Sequence, residues 1–178
     1  MRELPVELYR AAQVRELDRI AIAERGIPGY TLMSRAGEAA CQLLGQRWPK
    51  ARRIVVVCGG GNNGGDGYVV ARLARQAGCD VRVLAVADPA TLRGDAQTAW
   101  QDARAAEIVI VPFNTAELHD VDLIVDAILG TGLEREVSGL WREAIEAMNA
   151  SPADILALDI PSGLHADTGA ILGTAIYA

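Results

Sequence analysis

The sequence is poor in the residues that most metal and disulfide chemistry uses, with three cysteines and two histidines in 178 residues. Cys41, Cys58 and Cys79 show no metal-ligand spacing and are odd in number, which argues against a zinc site and against a disulfide framework. Cys58 closes an apolar run and reads as a small core residue, so a reducing, cytoplasmic setting is expected. His119 and His165 stand alone, outside any triad or metal spacing, and read as solvated. A net charge of −6 leaves no basic stripe to neutralise a nucleic-acid backbone. Small anions stay possible, because they answer to local amides and a few arginines. Met1-Arg2-Glu3-Leu4-Pro5 holds no apolar signal core, and no run reaches the length of a membrane span, so neither export nor membrane binding is expected. Internal repeats, low-complexity stretches and an interdomain linker are also missing.

What is present is enough for one domain with a substantial core. Half of the chain is hydrophobic and 22% is charged, an ordinary balance for a globular protein. The apolar runs alternate in period. Leu8 to Glu24 reads as an amphipathic helix with Ala11, Val14, Leu17, Ile20 and Ala21 on one side. Gly26-Ile27-Pro28-Gly29 breaks it, and Thr31 is the expected cap of a second helix ending before Pro49. Strands are expected at 54–58, 81–87, 108–111, 123–129 and 155–160, with helices after Gly67, over 91–106 and from a Ser138 cap to Met148. Strands alternating with helices give a parallel sheet with right-handed crossovers. The fold class is therefore α/β, a Rossmann-like three-layer sandwich with a mostly parallel sheet and an N-terminal helical extension.

The stretch that organises this pattern is Ile54 to Val70. Ile54-Val55-Val56-Val57-Cys58 reads as a strand buried on both faces, and six of the nine residues from Gly59 to Gly67 are glycine. Such a loop lets backbone amides approach an anion at the N-terminus of the next helix. Gly59, Gly61 and Gly64 satisfy G-x-G-x-x-G, a weak signal alone. Asn62, Asn63 and Asp66 strengthen it, because amides and a carboxylate are not needed merely to turn a chain.

Ligands of open parallel sheets bind beyond the carboxyl ends of the strands. There the sequence places the Asn62–Asp66 loop, Asp88, Asp126 with Gly130-Thr131-Gly132, and Asp159 with Pro161-Ser162-Gly163. Asp126 and Asp159 sit in apolar runs, where an unpaired charge is expensive. Each could simply cap a neighbouring loop. A cation is a second explanation: Asn63, Asp126 and Ser162 are hard oxygen donors that suit an alkali or alkaline-earth ion, and one carboxylate balances a monovalent ion better. Acid–base catalysis is a third, with Asp159 the candidate for a carboxylate whose pKa is raised by apolar surroundings. Arg135 could meet phosphate or lie solvated.

Three segments carry a resemblance. Gly61-Asn62-Asn63-Gly64-Gly65-Asp66-Gly67, Val125-Asp126-Ala127-Ile128-Leu129-Gly130-Thr131-Gly132 and Asp159-Ile160-Pro161-Ser162-Gly163 resemble the YjeF N-terminal domain family, the NAD(P)H-hydrate epimerases. Leu32-Met33-Ser34-Arg35-Ala36-Gly37 is similar to that family's N-terminal helix signature. The resemblance implies an isomerase that interconverts the R and S forms of hydrated NADH and NADPH, a metabolite-repair reaction. It also implies a homodimer and an ADP- or ATP-dependent NAD(P)H-hydrate dehydratase as partner or fused domain. By position, Asn62, Asn63, Gly64, Gly65 and Asp66 would bind the hydrated nucleotide. Asn63, Asp126 and Ser162 would hold a potassium ion. Gly130, Thr131, Gly132, Leu133, Glu134, Arg135 and Glu136 would wrap the phosphates, and Asp159 would act at the reacting ring. Further strand and loop material usually follows the Pro-Ser-Gly turn in that family. Residues 1–178 are therefore expected to form a single domain truncated at its C-terminal end.

Two other functions compete. One is a nucleotide-binding or interaction module of the same fold without turnover. The other is an NAD(P)-dependent dehydrogenase domain with Asp88 on a ribose, which this length leaves without a substrate domain.

Overall fold

The computed structural model describes residues 9–178. Leu8 and the Met1–Pro5 segment, on which the signal-core reading rests, lie outside the described residues. Helices α1 (Ala11–Ala23) and α2 (Gly29–Arg47) precede β1 (Arg53–Cys58), α3 (Asn62–Gln76), β2 (Asp80–Ala85) and α4 (Gly94–Ala105). Then come β3 (Val109–Pro112), β4 (Leu123–Ala127), α5 (Gly139–Ala150) and β5 (Asp154–Ala157). The five strands form one sheet in the order β3-β2-β1-β4-β5, and every neighbouring pair is parallel.

The β-branched run of β1 makes it the central strand. Ile54, Val56 and Cys58 pack with α2, α3 and α4 on one face. Val55 and Val57 alternate to the other, where Ala144, Ile145 and Met148 of α5 cover them. That alternation gives three layers. The chain from Leu172 onward packs on the second face: Ile176 is buried there, and Asn149 clamps the segment by donating to the Ala175 carbonyl and accepting from the Tyr177 N–H.

Several boundaries differ from expectation, each for a local reason. Helix α2 starts two residues before Thr31, with Pro28 in the cap position; the fixed φ of proline suits a helix start. A 3-10 turn over Pro89–Thr91 delays α4 to Gly94. Leu17 of α1, expected on an apolar face, is 52% exposed, because Ala11 is the only buried residue of that helix.

The largest difference concerns the glycine stretch. Helix α3 begins at Asn62, so Gly64, Gly65 and Gly67 belong to its first turns. A Cβ on Gly67 would sit 2.5 Å from Ala127 Cβ and 2.7 Å from Cys58 Sγ, and one on Gly65 would sit 2.6 Å from Met33 Cε. These glycines let α3 lie directly against the sheet and against α2. They are packing positions as much as loop positions.

Candidate active site

Between β1 and β4 the strand order reverses direction, and the ligand crevice of an open sheet lies at such a switch point. A cleft of about 1200 Å³ opens there, at the carboxyl ends of β1, β4 and β5. Three connections build its floor: Gly60–Asn63 after β1, Ile128–Arg135 after β4, and Leu158-Asp159 after β5. The segments singled out in the sequence therefore converge.

Asp126, on β4, is fully buried, as is Ser162. Its Oδ1 accepts from the Ser162 hydroxyl at 2.6 Å and from the Ile128 N–H at 3.2 Å, while Oδ2 accepts from the Ser162 N–H at 2.8 Å. The Ser162 Oγ also accepts the Leu129 N–H at 2.8 Å. One carboxylate and one hydroxyl thus lock the loop after β4 to the turn after β5. Burial pushes the Asp126 carboxyl up to about 6, against the opposing pull of the Ser162 and Ile128 hydrogen bonds. No ion pair reaches it among the described residues.

Asn63 sits in the first turn of α3, and its side-chain nitrogen and oxygen are both buried without a hydrogen-bond partner. Buried polar groups are rarely left so. A built Cβ on Gly130 would lie 3.5 Å from Asn63 Cβ and would collide with the Asp159 carboxylate. Gly130 is thus the gap through which these two side chains approach one another.

Asp159 lies two residues past the end of β5 and is exposed, not in an apolar strand as expected. The strand stops at Ala157, because its last ladder partner is Asp126. Asp159 has a φ of 63°, a left-handed conformation that aspartate tolerates better than most residues. Its Oδ2 accepts the Thr131 N–H at 2.7 Å, which fixes the carboxylate at the mouth of the cleft. Burial also pushes the Asp66 carboxyl up, to about 7, with Asp159 and Asp18 adding repulsion. One exposed and one partly buried carboxylate therefore face the same space.

The other expected residues divide. Asn62, Thr131, Gly132, Leu133, Glu134 and Arg135 line the cleft. Gly64 and Gly65 are buried beneath it, and Glu136 packs beside Gly173, outside the lining. Asp88 is engaged elsewhere: its Oδ1 accepts the Ala90 N–H as the cap of the 3-10 turn. His119 is exposed, whereas His165 is half-buried with Nδ1 unpartnered. The sequence reading missed Val14, Arg15 and Asp18 of α1 and Trp141 of α5, which complete the wall. Nothing in an amphipathic helix far upstream signals that it folds over a crevice. Among the described residues no group of three His, Cys, Asp or Glu side chains could hold a metal, and no helix is long and apolar enough to cross a membrane.

Comparison with known proteins agrees with the resemblance carried by the three motifs. The family described as YjeF-related protein N-terminus matches residues 29–178. The chain is 46% identical over 171 residues to the bifunctional NAD(P)H-hydrate repair enzyme of Coxiella burnetii, covering 96% of this chain and 35% of that protein. It is 41% identical over 170 residues to the NAD(P)H-hydrate epimerase of Limosilactobacillus fermentum, covering 94% of this chain and 80% of that one. The chain thus spans about a third of the bifunctional relative and about four fifths of the shorter one. Among solved structures, yeast ynu0 superposes with a TM-score of 0.87 at 22% identity, over 96% of this chain and 77% of that one, a likeness of fold.

Proposed function

The chain belongs to the YjeF-related N-terminal family, and from that premise we propose that it is an isomerase interconverting the R and S forms of hydrated NADH and NADPH. The observation that carries the reading is the Asp159 carboxylate, held by Thr131 in a left-handed turn at the mouth of a cleft large enough for a dinucleotide. The substrate bears a hydroxyl on a carbon beside the ring nitrogen. Inversion there runs by ring opening and reclosure, or by loss and return of water. Each route moves a proton to or from oxygen or nitrogen, with no net change in redox state. Asp159, exposed to the cleft, accepts a proton; Asp66, with a pKa of about 7, can hold one at neutral pH. Helix α3 opens at the cleft, where Asn62 and Asn63 line it, and a helix N-terminus suits the substrate's phosphates.

A potassium ion fits the same loops. Asn63, Asp126 and Ser162 would hold it, supported by the orphaned Asn63 amide and by a buried carboxylate with no cationic partner among the described residues. The ion would supply positive charge next to the bound nucleotide. In this reading the chain works with an ADP- or ATP-dependent NAD(P)H-hydrate dehydratase, separate or fused; the word bifunctional in the Coxiella burnetii relative's name supports a second repair activity beside the matched third of that protein. A homodimer in the cytoplasm completes it, supported by the exposed apolar Leu17 and Ile22 on α1.

The test supplies one isolated epimer of hydrated NADPH and follows both by chromatography, with and without potassium, after subtracting spontaneous exchange. Protein-dependent acceleration is expected, stronger with potassium. Asp159→Asn should lower kcat by about 10²-fold or more while nucleotide binding persists. Normal turnover by that variant removes Asp159 from the mechanism. Binding without any acceleration by the wild type supports the non-catalytic module instead.

A further inference from the structure

Helix α1 reads as an appendage in the sequence, and the fold gives it little purchase on the core. Only Ala11 is buried, yet Val14, Arg15 and Asp18 line the cleft. The helix is held in place from the far end of the chain, where the Asp167 carboxylate accepts the Ala11 N–H at 2.8 Å, across 156 positions. A polar tether that fixes a largely exposed helix over a crevice makes sense if the helix serves the crevice.

The charges there point to what it serves. Four carboxylates line the cleft, Asp18, Asp66, Glu134 and Asp159, against two cations, Arg15 and Arg135. Neither guanidinium forms an ion pair or hydrogen bond with another described residue. Asp18 lies three positions from Arg15, a spacing at which helical ion pairs form, and still the two do not pair. One turn on, Arg19 is paired with both Glu16 and Glu24. A guanidinium left unpaired beside carboxylates is available to an anion stronger than they are. Its planar fork matches phosphate oxygens in two parallel hydrogen bonds.

We propose that Arg15 is a phosphate-contacting residue of this cleft, reaching the substrate's diphosphate from α1 while Arg135 reaches it from the loop after β4. The assignment rests on the nucleotide reading above but not on turnover. It makes α1 a wall of the site and Arg15 a determinant of affinity.

ADP-ribose, which carries the diphosphate without the reacting ring, is the probe. Its Kd is measured by titration calorimetry at 50 and 300 mM salt for the wild type, Arg15→Gln, Arg15→Lys and Arg19→Gln. Arg15→Gln should weaken binding about 10-fold at low salt and flatten the salt dependence. Arg15→Lys should restore part of the loss, and Arg19→Gln, which removes the same charge from the same helix, should stay within about 2-fold of the wild type. In turnover of hydrated NADPH, Arg15→Gln should raise KM and leave kcat unchanged. Equal Kd and equal salt slope in Arg15→Gln and wild type overturn the proposal. So does an equal loss in Arg19→Gln, which would be a general effect of helix charge, or a wild type that binds no ADP-ribose. A wild type that binds ADP-ribose through Arg15 but accelerates no epimerisation defeats the isomerase reading and leaves this assignment standing.

Discussion

Replacing Ser162 by alanine removes one oxygen from a fully buried site, and the effect can be worked out atom by atom. The hydroxyl donates to Asp126 Oδ1 at 2.6 Å and accepts the Leu129 N–H at 2.8 Å. A hydrogen bond to a buried ionised group is worth about 1.5–3 kcal/mol, and the half-buried Leu129 N–H, left without its partner, costs at most about 1–3 kcal/mol. Two contacts survive the change, the Ile128 and residue-162 backbone N–H groups on the same carboxylate. They keep Asp126 from being stranded, so the expected loss is about 2–4 kcal/mol. Urea unfolding of the wild type, Ser162→Ala, Asp126→Asn and the double variant, in buffer free of alkali cations, gives the coupling directly. The cycle should show at least about 1.5 kcal/mol of coupling between the two side chains. Additivity within about 0.5 kcal/mol, or a Ser162→Ala loss below that value, would refute the latch between the two loops.

Gly67→Ala should destabilise by about 1–3 kcal/mol although alanine is the better helix former, because its Cβ meets Ala127 and Cys58. Gly45→Ala, exposed in α2 with nothing within 4 Å, should instead stabilise by up to about 1 kcal/mol; matching melting temperatures for the two would contradict the packing argument. Asp66→Asn should stabilise the fold in a pH-dependent way. The folded carboxyl titrates near 7, above its ordinary 3.8, so ionisation opposes folding and wild-type stability falls as pH rises through that window. The gain from Asn should be absent near pH 3.5 and approach at most about 4 kcal/mol above pH 7, read from chemical unfolding at several pH values; a gain that shrinks with rising pH would show the sign to be wrong.

The sheet was legible in the chain because its signal is dense. Val55, Val56 and Val57 can serve little but a doubly covered strand, and the alternation of strands with helices pointed to a parallel sheet. The convergence of Asn63, Asp126 and Ser162 segments followed from strand ends alone. Glycine was harder to read. Gly64, Gly65 and Gly67 look like loop residues, yet α3 uses them to touch the sheet, and a missing side chain carries no periodicity. Asp159 looked like a strand residue because Leu158 and Ile160 flank it, whereas its left-handed φ is a property of the turn. Arg15 left no mark at all: unpaired on an amphipathic helix, it is indistinguishable in sequence from an arginine in water.

The tether between Ala11 and Asp167 has a consequence for the order in which the molecule comes into being. During synthesis α1 is the first of the described helices to be made, and the partner that fixes it comes later than any strand of the sheet. The central ladder has the same character, since Ile54 must await Leu123, and such distant pairings close slowly. A nascent chain therefore carries α1, with Leu17 and Ile22 bare, through the whole assembly of the sheet. The α1 wall of the cleft is thus fixed by a contact from beyond the last strand of the sheet, so the site draws on a pairing between residues far apart in the chain as well as on the core.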